Sequence, residues 1–228
     1  LLFGVAAALR IGSTFESIRT GADLTRMLLS YGLIALAPIA GYRLAMAAFP
    51  GNLLPERPCV RLAVFGRWRQ LHPLRARAHP AFGPFGFMAS LLAGLLINIL
   101  VRSFEFLLAV PAVSSHAPLW ATTIFQVMAF DTIAMNFLYA VCFVLALRAI
   151  PLFPRTLLLT WALDIVLQVS IAYQAAAAPD LPASVAYSLR EMLSSNLTKV
   201  FISMAIWTPY LLLSQRVNVT YRSRVAAA

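Results

Sequence analysis

LWATTIFQVMAFDTIAMNFLYAVCFVLAL runs from Leu119 to Leu147 with a single charged residue, Asp131. At about 1.5 Å per helical residue, such a stretch exceeds the roughly 30 Å of hydrocarbon in a bilayer. An apolar run of this length reads as a transmembrane helix rather than a buried strand or a soluble core helix. Asp131, placed well inside it, is the anomaly that the rest of the chain has to accommodate.

The whole chain follows the same pattern. Its 228 residues are 61% hydrophobic and 11% charged, with a mean hydropathy of +0.81. A soluble domain carries about 25% charged residues, so this composition suits lipid rather than water. Four further spans are readable at Met27–Phe49 (with Pro38 inside), Pro84–Val110, Thr156–Ala178 and Lys199–Leu213. The expected fold class is all-α, a polytopic transmembrane helical bundle of about five spans.

Prolines punctuate the connections. Pro111 and Pro118 bracket one turn, Pro151 and Pro154 a second, and Pro179 and Pro182 a third. Short connections make the last four spans antiparallel neighbours, a four-helix C-terminal core over residues 84–228. Residues 1–83 read as an N-terminal appendage, with one span at 27–49 and an Arg/Pro-rich loop at 50–83. The opening LLFGVAAAL is too short to cross a membrane. It fits the end of a truncated helix, an interfacial helix or a signal-peptide remnant. No internal repeat supports an inverted-repeat transporter.

The net charge is +10, and 17 of the 18 basic residues are arginine. Arg57, Arg61, Arg67, Arg69, Arg75 and Arg77 fall in one loop, and Arg216, Arg222 and Arg224 in the tail. Short arginine-rich loops beside apolar spans follow the positive-inside pattern, which puts the 50–83 loop, the Arg148–Arg155 turn and the C-terminus in the cytoplasm. The same arginines suit anchoring to anionic lipid headgroups. No recognition motif or folded basic domain accompanies them, so nucleic acid is not an expected partner. The arginine and alanine bias points to a GC-rich bacterial genome.

Polar residues inside the spans fall on helical stripes. Ser90, Gly94, Asn98, Arg102 and Glu105 form one, with Leu91, Leu92, Leu96 and Ile99 expected toward lipid. Trp161, Asp164 and Gln168 form a second, and Lys199, Ser203, Trp207, Tyr210 and Ser214 a third; Thr123, Asp131 and Cys142 share nearly one face. The expected polar seam is therefore Asn98, Arg102, Glu105, Asp131, Asp164, Gln168, Lys199 and Tyr210. Arg102 and Glu105 are expected to pair at i,i+3 near an interface, and Lys199 to snorkel from a helix end. Asp131 and Asp164 lie at mid-span, where an aspartate costs about 2.5–3.5 kcal/mol. Either they serve a proton or ion relay, or they bond to Gln168, Asn136 or Thr160, or they stay protonated.

No catalytic, metal or cofactor constellation is legible. His72, His79 and His116 fall in loops, which leaves no imidazole inside a span. Nucleophile-elbow, phosphate-loop, zinc-protease and dinucleotide motifs are missing from the sequence. Cys59 and Cys142 are too far apart in sequence to suggest a redox motif. The glycosylation matches at Asn196 and Asn218 carry no meaning in a bacterial protein.

The C-terminal stretch AIWTPYLLLSQRVNVTYRSRV, Ala205 to Val225, closes the last span with Pro209 inside it. Trp207 and Tyr210 are expected to face the bundle, and Val217, Val219 and Tyr221 to alternate with polar residues in a period-2 or interfacial pattern. Ile206-Trp207-Thr208-Pro209-Tyr210, then Ser214-Gln215-Arg216-Val217 and Thr220-Tyr221, resembles the tail of the bacterial inner-membrane family named domain of unknown function 2569. The turn ending Phe153-Pro154-Arg155 is similar too. The resemblance covers about 84–225, leaves 1–83 outside, and implies a four-span topology without a known activity. The expected function is a non-enzymatic accessory or scaffold subunit packed against a protein partner in a larger bacterial inner-membrane complex. The alternative is a small proton-coupled transporter using Asp131 and Asp164.

Overall fold

The computed structural model describes residues 2–12, 21–50, 66–114 and 117–227. Among the described residues six helices build the bundle: α1 (Leu2–Gly12), α2 (Gly21–Ala48), α4 (Phe87–Ala109), α5 (Leu119–Leu147), α6 (Phe153–Ala177) and α7 (Ala183–Leu213). At one end sit α3 (Pro73–Arg77), α8 (Gln215–Arg222) and the short strands β1 (Trp68–Gln70) and β2 (Arg224–Ala226). Helices α2, α4, α5 and α6 are long and apolar enough to cross a membrane, and α7 qualifies together with α8 across a 69° bend. The chain is an integral, multi-pass membrane protein with an all-α bundle.

Helix α5 is the axis of the bundle, packed by α2, α4 and α6, while α7 lies on α6. Met27, Tyr31, Ile34, Ala37 and Ala45 give α2 one buried face at steps of three, four and eight residues. Tyr31 meets Phe125 edge-on, and the Arg148 guanidinium donates to the Met46 and Phe49 carbonyls, so α2 and α5 run parallel. Gly41 lets their backbones close: a Cβ there would lie 2.5 Å from the Phe137 carbonyl oxygen. The span expected in an appendage is therefore a full member of the bundle. Helix α1 packs on α2 and α4, with Phe3 against Phe104.

On α4 the leucine expectation is corrected. Leu91, Leu92 and Ile99 are buried with Met88 and Leu95 against α5, and of the four only Leu96 is exposed. Apolar knobs make most of the helix contact; of the polar stripe Arg102 is buried with them, and Asn98 and Glu105 turn to the side. Helix α7 begins at Ala183, so most of the stretch between the expected spans ending at Ala178 and starting at Lys199 is helix, and Lys199 sits 16 residues inside rather than at an end. The Ser188 and Thr198 hydroxyls there bond back to the Ser184 and Ser194 carbonyls one turn earlier, which lets a polar sequence stay helical.

The tail also differs from its period-2 reading. It folds as α8, then Ser223 in the left-handed region, then β2 paired antiparallel to β1 with Arg69 opposite Val225. Its polar groups satisfy helix ends. Asn218 Nδ2 donates to the Leu212 and Ser214 carbonyls, and Arg222 Nη1 to that of Leu211 at 2.9 Å. The Tyr221 hydroxyl reaches the Ala146 carbonyl at 2.9 Å, near the end of α5. Orphan carbonyls of α5 and α7 are thus capped by the segment that follows. Arg224 bonds Asn218 Oδ1 and lies over the Trp68 ring. Arg222 and Arg224 bond within this cap and stay partly exposed, whereas Arg67, Arg69, Arg75 and Arg77 are exposed. Arg57 and Arg61 lie outside the described residues. His72 and His79 each accept a nearby backbone N–H, as loop histidines do.

Candidate functional site

The polar stripes of four helices meet at one depth. Arg102 on α4, only 8% exposed, donates from Nη2 to Asp164 Oδ1 at 2.7 Å, and its Nη1 lies 3.5 Å from Asp131 Oδ2. The Tyr139 hydroxyl donates to the other Asp164 oxygen at 2.9 Å. Gln168 Nε2 lies 3.5 Å from Asp131 Oδ2, and Asn136 donates to Ser103 at 2.8 Å. Thr160 pairs with Cys142 instead of an aspartate.

These contacts revise the ion pairing. Arg102 does not pair with Glu105 on its own helix; its partners are the two aspartates of α5 and α6. Glu105 instead accepts from Lys199 of α7. The reason is rotational. Arg102 shares the α4 face of Ile99 and Phe106, which is the packed face, while Glu105 lies on its flank. Of Asp131's expected partners, Gln168 is adjacent and Asn136 and Thr160 bond elsewhere.

A cavity of about 290 Å³ opens between α4 and α7, which meet through side chains such as Phe87 and Trp207 rather than through close backbones. Gly94, Asn98, Arg102 and Glu105 form one wall, Lys199, Ser203 and Trp207 the other, and Tyr139, Trp161 and Asp164 reach it from behind. The α4 stripe is therefore a groove lining rather than a helix seam. A Cβ on Gly94 would meet nothing within 4 Å. Tyr210 falls just past the groove, against Phe87, which also stacks on Trp207. Lys199 and Glu105 are 49% and 36% exposed at this depth. Charges do not face bare hydrocarbon, so the groove is wet or filled.

Its charge does not close. Among the described residues of the site, two cations, Arg102 and Lys199, stand against three carboxylates, Asp131, Asp164 and Glu105, which leaves one negative charge in excess. Acceptors are in surplus as well: Asp131 Oδ1, Asn136 Oδ1 and Gln168 Oε1 are buried without a donor, and Arg102 Nη1 lacks a hydrogen bond. A bound proton or another cation would neutralise such a set.

Tyr139 and Ser103 were not expected in the cluster. Tyr139 stands eight residues, about two turns, after Asp131, and that spacing was the available signal. Trp161 and Trp207 were placed on polar stripes, and both line the groove.

Fold and site together define a multi-pass helical membrane protein with a charged groove between two of its spans. No family model, curated protein or solved structure matches the chain, so the likeness of its turn and tail to domain of unknown function 2569 rests on those residues alone.

Proposed function

We propose that this chain is a small proton-coupled transporter of a bacterial inner membrane, working at the groove between α4 and α7. The observation that carries the reading is the excess negative charge, buried at mid-span beside a cavity. Asp131, whose Oδ1 is without a donor, would hold the exchangeable charge, and Asp164, which the groove reaches, would be its partner through Arg102. Arg102 would keep the two carboxylates apart yet coupled, so that a proton on one alters the hold on the other. The arginine-bearing segments 66–83, 148–155 and 216–224 share one end of the bundle, and under the positive-inside rule that end would face the cytoplasm.

The accessory-subunit reading keeps one support. The outward faces of α2 and α6, with Leu29, Leu36, Leu159 and Val166 exposed, offer a partner helix a surface. Lipid covers such a surface equally well. A buried, wet charge set is not needed for docking, which is why the transporter reading is preferred.

The test needs no substrate. A pH step applied to proteoliposomes on a solid-supported membrane should give a transient current as protons enter the groove. Asp131→Asn and Asp164→Asn should abolish it while the protein stays monodisperse in detergent. No current from the unmodified chain, or the same current from both variants, contradicts the reading.

A further inference from the structure

From the walls of the groove we infer its ligand class: a small organic monocation, an ammonium carrying an apolar or aromatic body. The inference rests on the transporter reading of the same groove and adds the substrate to it.

Charge selects the sign. Arg102 and Lys199 are already engaged by carboxylates, so an incoming anion would raise the excess negative charge to two, whereas a monocation neutralises it. An anionic lipid headgroup is disfavoured for the same reason. The remaining walls select an organic cation over a bare metal ion. Tyr139, Trp161 and Trp207 line the cavity, and aromatic faces attract ammonium groups within about 6 Å while packing apolar substituents. Hard metal ions require a closed oxygen cage, and this groove is walled on one side by Gly94, Leu91 and Ile97. At about 290 Å³ the space lies at the lower edge of ligand-pocket sizes, roughly 300–1,000 Å³, which fits a compact amine rather than a drug-sized molecule.

The competing proton would sit on the same carboxylates. Asp164 is faced by Arg102 and Glu105 from α4, by Asp131 and Tyr139 from α5, and by Lys199 from α7. A cation entering near Asp164 therefore meets the excess charge that a proton otherwise balances, and the two exclude each other.

Benzyltrimethylammonium is the probe, with benzenesulfonate as an anion of similar size. Binding to the detergent-purified chain is read by quenching of tryptophan fluorescence and by calorimetry. Saturable binding of the cation, at least tenfold tighter than of the anion, and weakened tenfold or more in Asp164→Asn and in Gly94→Trp, is expected. Gly94→Trp puts bulk into the groove without removing a charged residue, so it keeps the proposal testable if the aspartate variant misfolds. Equal binding of the anion, no saturable binding of the cation, or cation binding indifferent to Gly94→Trp overturns the inference. A pH-step current without cation binding would remove this ligand class and leave the transporter reading standing; loss of both would remove both.

Discussion

Arg102 on α4 reaches across to Asp164 on α6 at 2.7 Å, although a carboxylate, Glu105, stands one turn away on its own helix. The bridge ties α4 to α6 and, through Asp131, to α5. Removing the guanidinium leaves two carboxylates buried against each other. Arg102→Met should cost about 3–5 kcal/mol, the usual penalty for stranding a buried charge. Adding Asp131→Asn and Asp164→Asn should restore most of it. Thermal unfolding in detergent, followed by size-exclusion fluorescence, measures both; an Arg102→Met protein as stable as the parent refutes the assignment.

The Lys199–Glu105 pair sits on the open groove and both members are partly exposed. Lys199→Met should therefore change stability by only about 0–1 kcal/mol. A loss of several kcal/mol in the same unfolding assay would mean that the groove is closed and dry.

Close backbone approach makes Gly41 intolerant. Gly41→Ala puts a methyl 2.5 Å from the Phe137 carbonyl oxygen, so α2 must shift from α5. An overpacking cost of about 1–3 kcal/mol is expected, with a lower melting temperature. An unchanged melting temperature would place α2 away from α5.

Helix α5 ends with Ala149 at φ 56°, while the Ile150 N–H bonds the Leu145 carbonyl and the Ala149 N–H that of Ala146. This is a Schellman closure that normally carries glycine. Ala149→Gly should stabilise the protein by up to about 1 kcal/mol, because the left-handed strain at Ala149 is relieved. A measurable loss of stability would contradict the turn geometry.

The tail contributes by capping. Tyr221→Phe removes one bond to the Ala146 carbonyl, which also accepts the Arg148 and Ala149 N–H groups, so the cost should be modest, about 0.5–1.5 kcal/mol. Ending the chain at Ser214 instead exposes the α7 carbonyls and leaves β1 unpaired. That variant should lose monodispersity in detergent, and one that keeps it would show that the cap is dispensable.

Much of this architecture was legible in the residues. Span length and apolarity set the bundle, and the stripes through Arg102, Asp164 and Lys199 pointed at one another. Rotation about each helix axis was not legible: a stripe marks a polar face without saying whether that face packs or lines a space. Hence Leu91 and Ile99 were expected in lipid and form the core, and Arg102 was paired with the wrong acid. The tail misled for a different reason. Val217, Val219 and Tyr221 alternate like a strand, yet Asn218 and Arg222 make a helix there by binding the end of α7, a long-range effect no local pattern carries. The start of α7 was missed because serines and threonines that bond to their own backbone look like loop.

The central claim is that the groove holds one excess negative charge that a proton and an organic cation compete to balance. Measuring the dissociation constant of benzyltrimethylammonium against pH tests it directly. On the acid side the constant should rise about tenfold for each pH unit lowered, as one proton excludes one cation. A dissociation constant that does not move with pH, across the range where the protein stays folded, contradicts the account.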